Sequence, residues 1–239
     1  MNSSLHTLPN PQRTRIKVCG FTRAQDIDAA VAAGVDSVGF VLYPPSPRAV
    51  SIEAARELAR RLPPFVTPVL LFVNAAPEVI QQAAQAVPGA WLQFHGDETP
   101  QECQQAASVC ARPYLKAARI PAQDTASFDL VKFAESFNQA QAVLLDTLVD
   151  GYGGGGKTFN WSLLPPSVNS HLVLSGGLTP ANVTDGLAQL RSRGLSLALD
   201  VSSGVELDGP GHKGLKDAHK IHLFVQAVRA ADEHFARNF

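Results

Sequence analysis

A chain of 239 residues fits one large domain or two small ones, and with 45% hydrophobic and 17% charged residues it can bury a real core. The formal net charge of −1, without any lysine or arginine block, argues against a nucleic-acid partner. The longest apolar stretches, such as Ser37–Tyr43 and Pro68–Val73, are strand-sized and too short to cross a bilayer, which argues against a membrane partner.

Met1–Thr14 reads as a polar, proline-containing tail with no apolar core of signal-peptide length. Cys19, Cys103 and Cys110 form an odd set in an unsignalled chain, which points to reduced thiols and a cytoplasmic protein. Arg15–Cys19 is the first apolar run. Thr22 then offers an N-cap to a helix over Arg23–Ala33, and Gly34 stops it. Ser37–Tyr43 is the second strand. After the loop Pro44–Arg48, Ser51 caps a helix over Ile52–Leu62. Pro68–Val73 precedes a helix near Pro77–Val87, Ala90–Phe94 one near Pro100–Ala111, and Tyr114–Ala118 one over Ser127–Phe137. Ala142–Asp146 leads only to a short helical stretch around Trp161–Leu164. His171–Leu174 is followed by Ala181–Arg193, with Thr179 as its cap, and Ser196–Val201 by Leu215–Ala231.

Near-continuous apolar strands alternating with helices imply a parallel sheet covered on both faces. Eight such units with short connections favour an α/β fold in which eight strands close into a (β/α)8 TIM barrel, one domain over residues 15–239. A doubly wound open sheet is the alternative, but it needs a glycine fingerprint after the first strand, where this chain has Cys19-Gly20-Phe21.

In such a barrel the chemistry belongs at the carboxyl ends of the strands. Strand one ends there in Cys19, strand six in Asp146 and strand eight in Asp200-Val201. The second strand leads to Arg48, behind a proline-rich turn. Cys19 is either a buried small hydrophobe or a thiolate base. Asp146 is a loop cap or a proton donor, and Arg48 a surface cation or a grip on a substrate carboxylate by paired hydrogen bonds. Three glycine-rich loops follow neighbouring strands: Gly153–Gly156, Ser175–Gly177 and Ser202–Gly204. They either make tight turns or present backbone N–H groups to a phosphate monoester. Gly151, four residues on Gly156-Lys157-Thr158, also fits the nucleotide-binding loop literally. That loop must open a long helix, and Pro165-Pro166 stops any helix soon after Thr158, so the match is accidental. His212, His219 and His222 read as a solvated helical face rather than a metal site.

Together the residues resemble one family, phosphoribosylanthranilate isomerase of tryptophan biosynthesis. The carriers are Lys17-Val18-Cys19-Gly20, Gly39-Phe40-Val41, Gln93-Phe94-His95-Gly96, Leu144-Leu145-Asp146-Thr147, Tyr152–Phe159, Leu174–Leu178 and Asp200–Glu206. The resemblance covers nearly all of Arg15–Ala231. It implies an Amadori rearrangement of a small phosphoribosyl substrate, without metal or organic cofactor, by a monomer or homodimer. It further implies Asp146 as general acid, Cys19 as general base, Arg48 on the anthranilate carboxylate and Asp200 as another substrate contact. Gly154, Gly155, Gly156, Gly176, Gly177, Ser202, Ser203 and Gly204 would hold the phosphate. The sequence departs from the family pattern at Gly155, usually serine or threonine, at Asn160, usually aspartate, and by a few extra residues in Leu207–Lys216. The rivals are the histidine-pathway isomerase, which has aspartate where Cys19 stands, a phosphosugar epimerase, the tryptophan synthase α chain, and a non-catalytic phosphate binder.

Overall fold

The computed structural model describes residues 13–122, 127–148 and 158–237. Strands β1 (Arg15–Cys19), β2 (Ser37–Val41), β3 (Thr67–Phe72), β4 (Trp91–Phe94), β5 (Tyr114–Pro121), β6 (Ala142–Leu148), β7 (His171–Leu174) and β8 (Ser196–Val201) are parallel, each paired to the next. Pairing of β1 with β8, Arg15 opposite Ala198 through Val18 opposite Val201, closes the barrel and excludes the open sheet. Helices α1 (Ala24–Ala33), α2 (Ile52–Ala59), α3 (Pro77–Ala86), α4 (Pro100–Cys110), α5 (Leu130–Ser136) and α6 (Val183–Leu190) lie between strands, and α7 (Ala218–Arg237) follows β8. After β6 the described chain has only a 3-10 turn, Trp161–Leu163, so Thr158 opens no long helix and the nucleotide-loop match has the wrong context.

Local chemistry sets the helix ends. The Ser51 hydroxyl accepts from the Ala54 N–H at 3.1 Å. Thr99 and Glu102 form a reciprocal capping box at the start of α4. Gly34 ends α1 at φ 86°, returning its N–H to the Ala30 and Val31 carbonyls. Several expected boundaries move. Thr22 does not cap α1; its hydroxyl donates to the Gly214 carbonyl at 3.4 Å. The last helix begins at Ala218 because Leu207 and Glu206 pair with Leu215 and Lys216, and the Asp217 carboxylate then accepts from the N–H groups of His219 and Lys220. His212 therefore sits in a loop, while His219 and His222 lie exposed on α7. Strand β6 runs two residues past Asp146, because β5 extends with it, up to Pro121 opposite Leu148. Asn160 caps the 3-10 turn, accepting from the Ser162 N–H.

Strand alternation decides what faces the barrel axis. Ile16, Val18, Val38, Phe40, Leu70, Phe72, Leu92, Phe94, Val143 and Leu145 face outward into the main core beneath the helices. The opposite parity faces inward. Leu115, Ala117, Ala142, Leu144 and Val173 fill part of the interior, and Cys19, Val41, Leu71 and Val73 cluster elsewhere in it. Polar residues of inward parity, Lys17, Gln93, Asp146 and Asp200, are buried too. Thr14 pins the start of β1 to α7 through both oxygens of Asp232. No helix of the described residues is long and apolar enough to cross a membrane.

Candidate active site

Cys19 closes β1 with its side chain inward and 4% exposed. Its neighbour across β2 is Gly39. A Cβ there would lie 2.6 Å from Cys19 Sγ and 3.1 Å from Lys17 Nζ, so a side chain at position 39 would displace the thiol. Burial pushes the Cys19 thiol above its ordinary range, with Lys17 and Lys216 opposing and Asp200 reinforcing that rise. Lys17 is buried and ion-paired to Asp200 Oδ1 at 2.9 Å, its register partner across the seam between β1 and β8. Burial works to lower the Lys17 ammonium, but the charges of Asp200 and Cys19 together leave it raised.

Arg48 is 5% exposed rather than a surface cation. Its Nε and Nη2 donate to the two Glu206 carboxylate oxygens at 2.6 and 3.0 Å, the fork geometry of an arginine–carboxylate pair. Nη1 bonds no described residue. Lys216 Nζ also bonds Glu206, at 3.1 Å, and reaches the Ser202 carbonyl and hydroxyl. Burial would raise the Glu206 carboxyl, yet the Arg48 hydrogen bond and the two cations hold it below its ordinary value. The Lys216 ammonium is driven by burial down to about 8.

Asp146 is buried, with His95 Nε2 2.9 Å from its Oδ2 and the Thr147 N–H donating to Oδ1 at 2.9 Å. Behind His95, Gln93 Nε2 lies 3.0 Å from Nδ1, while Gln93 Oε1 is buried with no partner among the described residues. This chain can run in two senses. With the amide nitrogen toward Nδ1, His95 donates through Nε2 to a carboxylate. With the amide turned over, Oε1 gains a partner in Nδ1–H, and Nε2 accepts from a protonated Asp146.

The loops after β7 and β8 press on both groups. Gly176 and Gly177 have φ of 77° and 66°. A Cβ on Gly176 would lie 2.5 Å from Thr147 Oγ1 and 3.0 Å from Asp146 Oδ1, and one on Gly204 only 1.9 Å from the Leu178 carbonyl oxygen. Ser202 donates its hydroxyl to the Cys19 carbonyl at 2.9 Å. Among the described residues the N–H groups of Gly176, Gly177, Ser203 and Gly204 have no acceptor, which leaves them available to an anion. Gly154, Gly155 and Gly156 lie outside the described residues.

Closure of the barrel thus brings Cys19, Asp146, Arg48 and Asp200 to strand ends or the loops beyond them. Sequence reasoning assigned no role to Lys17, Gln93, His95, Glu206 or Lys216. For Lys17 a signal was available: it shares the inward parity of Cys19 two residues away.

Residues 16–227 match the family model described as N-(5'phosphoribosyl)anthranilate (PRA) isomerase. The chain is 58% identical over 224 residues to the N-(5'-phosphoribosyl)anthranilate isomerase of Methylibium petroleiphilum, covering 94% of this chain and 98% of that protein. Among solved structures it is similar to phosphoribosyl anthranilate isomerase from Thermotoga maritima, with TM-score 0.77, 37% identity, and 91% and 99% of the two chains covered. A second similar structure, a phosphoribosyl anthranilate isomerase with TM-score 0.71 and 32% identity, covers 91% of this chain and 99% of its own. It is a complex with reduced 1-(o-carboxyphenylamino)-1-deoxyribulose 5-phosphate. With a match across most of its length, the chain belongs to the phosphoribosylanthranilate isomerase family.

Proposed function

We propose that the chain catalyses the Amadori rearrangement of N-(5-phosphoribosyl)anthranilate to 1-(2-carboxyphenylamino)-1-deoxyribulose 5-phosphate, a step of tryptophan biosynthesis, with Asp146 as acid and Cys19 as base. The observation that carries the reading is the pairing, in a chain of this family, of an inward carboxyl on β6 with an inward thiol on β1. Asp146 gives its proton to the furanose ring oxygen as the C1–O bond breaks and the anthranilate nitrogen forms an iminium. The Cys19 thiolate removes the C2 proton, and the C–H electron pair becomes the C1=C2 bond of the enolamine. Tautomerisation to the ketone places a proton on C1 and releases one from the C2 hydroxyl. The enzyme has given one proton and taken one, so this step can return Cys19 and Asp146 to their starting forms.

The Gln93–His95 chain accommodates a proton on Asp146, because with the Gln93 amide turned over His95 Nε2 accepts a hydrogen bond from the carboxyl. Free N–H groups after β7 and β8 suit the phosphate, as the loop Gly154–Gly156 would. Arg48 offers Nη1 to the anthranilate carboxylate while Glu206 fixes the guanidinium plane. Asp200, held by Lys17, is a further substrate contact. The test is to supply N-(5-phosphoribosyl)anthranilate to purified protein and follow the loss of its fluorescence. Loss in proportion to protein, with the ketone as product, is expected. A folded protein that leaves the substrate intact would return the site to a phosphate-ligand binder.

A further inference from the structure

A buried lysine is costly unless its charge is used, and the mechanism above leaves Lys17 without a task. It projects into the barrel beside Cys19, on the same strand and of the same parity. Lys17 Nζ and Cys19 Sγ flank one small space, which is open only because position 39 is glycine. Asp200 holds the ammonium from β8 at 2.9 Å. The charged groups around the thiol are Lys17 on β1, Asp200 on β8, and Lys216 in the segment before α7, itself joined to Glu206 and Arg48. β2 contributes no charge at this level, only Gly39. Three cations therefore face two carboxylates, and the excess positive charge is balanced when Cys19 is a thiolate.

We propose that Lys17 is a positioning residue that serves as counter-ion to the Cys19 thiolate, with Asp200 fixing its ammonium and Gly39 providing the space for the contact. The proposal rests on Cys19 being the base. It assigns Asp200 to Lys17 and gives the glycine of β2 a chemical reason. Thiolate formation moves the Cys19 proton to solvent, and Lys17 keeps its own proton throughout. Burial of the thiol works against ionisation, and the Lys17 charge is the first group that opposes it.

The experiment reads the thiolate directly, as the ultraviolet absorbance that each protein loses when Cys19→Ser is added, titrated without substrate alongside kcat/KM. Lys17→Met should move the rise of the Cys19 thiolate signal upward by about one pH unit or more and lower kcat/KM about tenfold or more. Lys17→Arg should recover part of each. Asp200→Asn should raise the thiolate signal, since it removes a negative charge beside the sulfur, and a merely structural Lys17–Asp200 pair would not move the two variants in opposite directions. If Lys17→Met fails to fold, Lys17→Arg and Asp200→Asn still decide the sign. A Cys19 titration unmoved by any of these changes overturns the proposal, even where turnover falls. Near-normal turnover in Cys19→Ser would instead remove the base assignment, and a titration that still followed Lys17 would then show the ion pair without its catalytic use.

Discussion

At the scale of single residues, several positions tolerate one side chain for a stated steric reason. Gly176 combines a left-handed φ of 77° with a Cβ direction pointing into Thr147 and the Asp146 carboxylate. Gly176→Ala should cost about 1–3 kcal/mol in a urea titration, from the backbone strain alone, and should depress turnover beyond that because Asp146 must shift. A variant of wild-type stability and rate would mean that the loop after β7 relaxes away from β6 without consequence. Cys19, Asp146, Arg48 and Asp200 were legible in the sequence because each stands at a strand end or just beyond one. Their partners were not. Lys17 meets Asp200 across the seam of the barrel, and Arg48 meets Glu206 from a different loop, both at sequence separations above 150 residues. Such pairings exist only after the first and last strands have met, and nothing local to either residue announces them.

Elements were easier to read than contacts, because caps and breakers act over three or four residues. Ser51, Gly34, Pro77 and Pro100 all do what their positions in sequence suggested. Thr99 and Glu102 add a capping box to α4, with the Thr99 hydroxyl accepting from the Glu102 N–H and the Glu102 carboxylate accepting from the Thr99 N–H at 2.8 Å. Thr99→Ala should therefore lower stability by about 1 kcal/mol by denaturant titration while leaving kcat/KM unchanged, since the cap is exposed and outside the barrel. Loss of activity without loss of stability would show that α4 orders the loop carrying His95. Elements set by tertiary partners were misplaced. The extension of β6 past Asp146 follows from the length of β5. The late start of α7 follows from the pairing of Glu206 with Lys216, which a helical pattern beginning at Leu215 does not reveal.

The whole molecule couples its stability to the charges buried at the mouth. Lys216 is lowered from 10.5 to about 8, so between those values the folded protein binds fewer protons than the unfolded chain. Its contribution makes stability rise with pH through that window, at most about 1.4 kcal/mol per unit. Cys19 is raised above 9.0 and Cys103 is raised to about 12, which reverses the sign once the unfolded thiols ionise. On the acid side Glu206 is lowered, so the stability it supplies is complete above 4.5 and lost as pH falls through its folded value. Urea midpoints should climb between about pH 8 and 9 and turn over above, and Lys216→Met should flatten the climb. A midpoint that falls steadily from neutrality in both proteins would contradict this balance.

The central claim, that this barrel runs an Amadori rearrangement with Cys19 and Asp146 at opposite steps, is tested most directly by measuring turnover and ligand affinity in the same variants. For Cys19→Ser and Asp146→Asn the account predicts kcat/KM for N-(5-phosphoribosyl)anthranilate reduced by about 10²–10⁴-fold. Affinity for reduced 1-(o-carboxyphenylamino)-1-deoxyribulose 5-phosphate should stay close to wild type, because the phosphate and carboxylate grips are intact. Turnover near wild type in either variant would contradict the account.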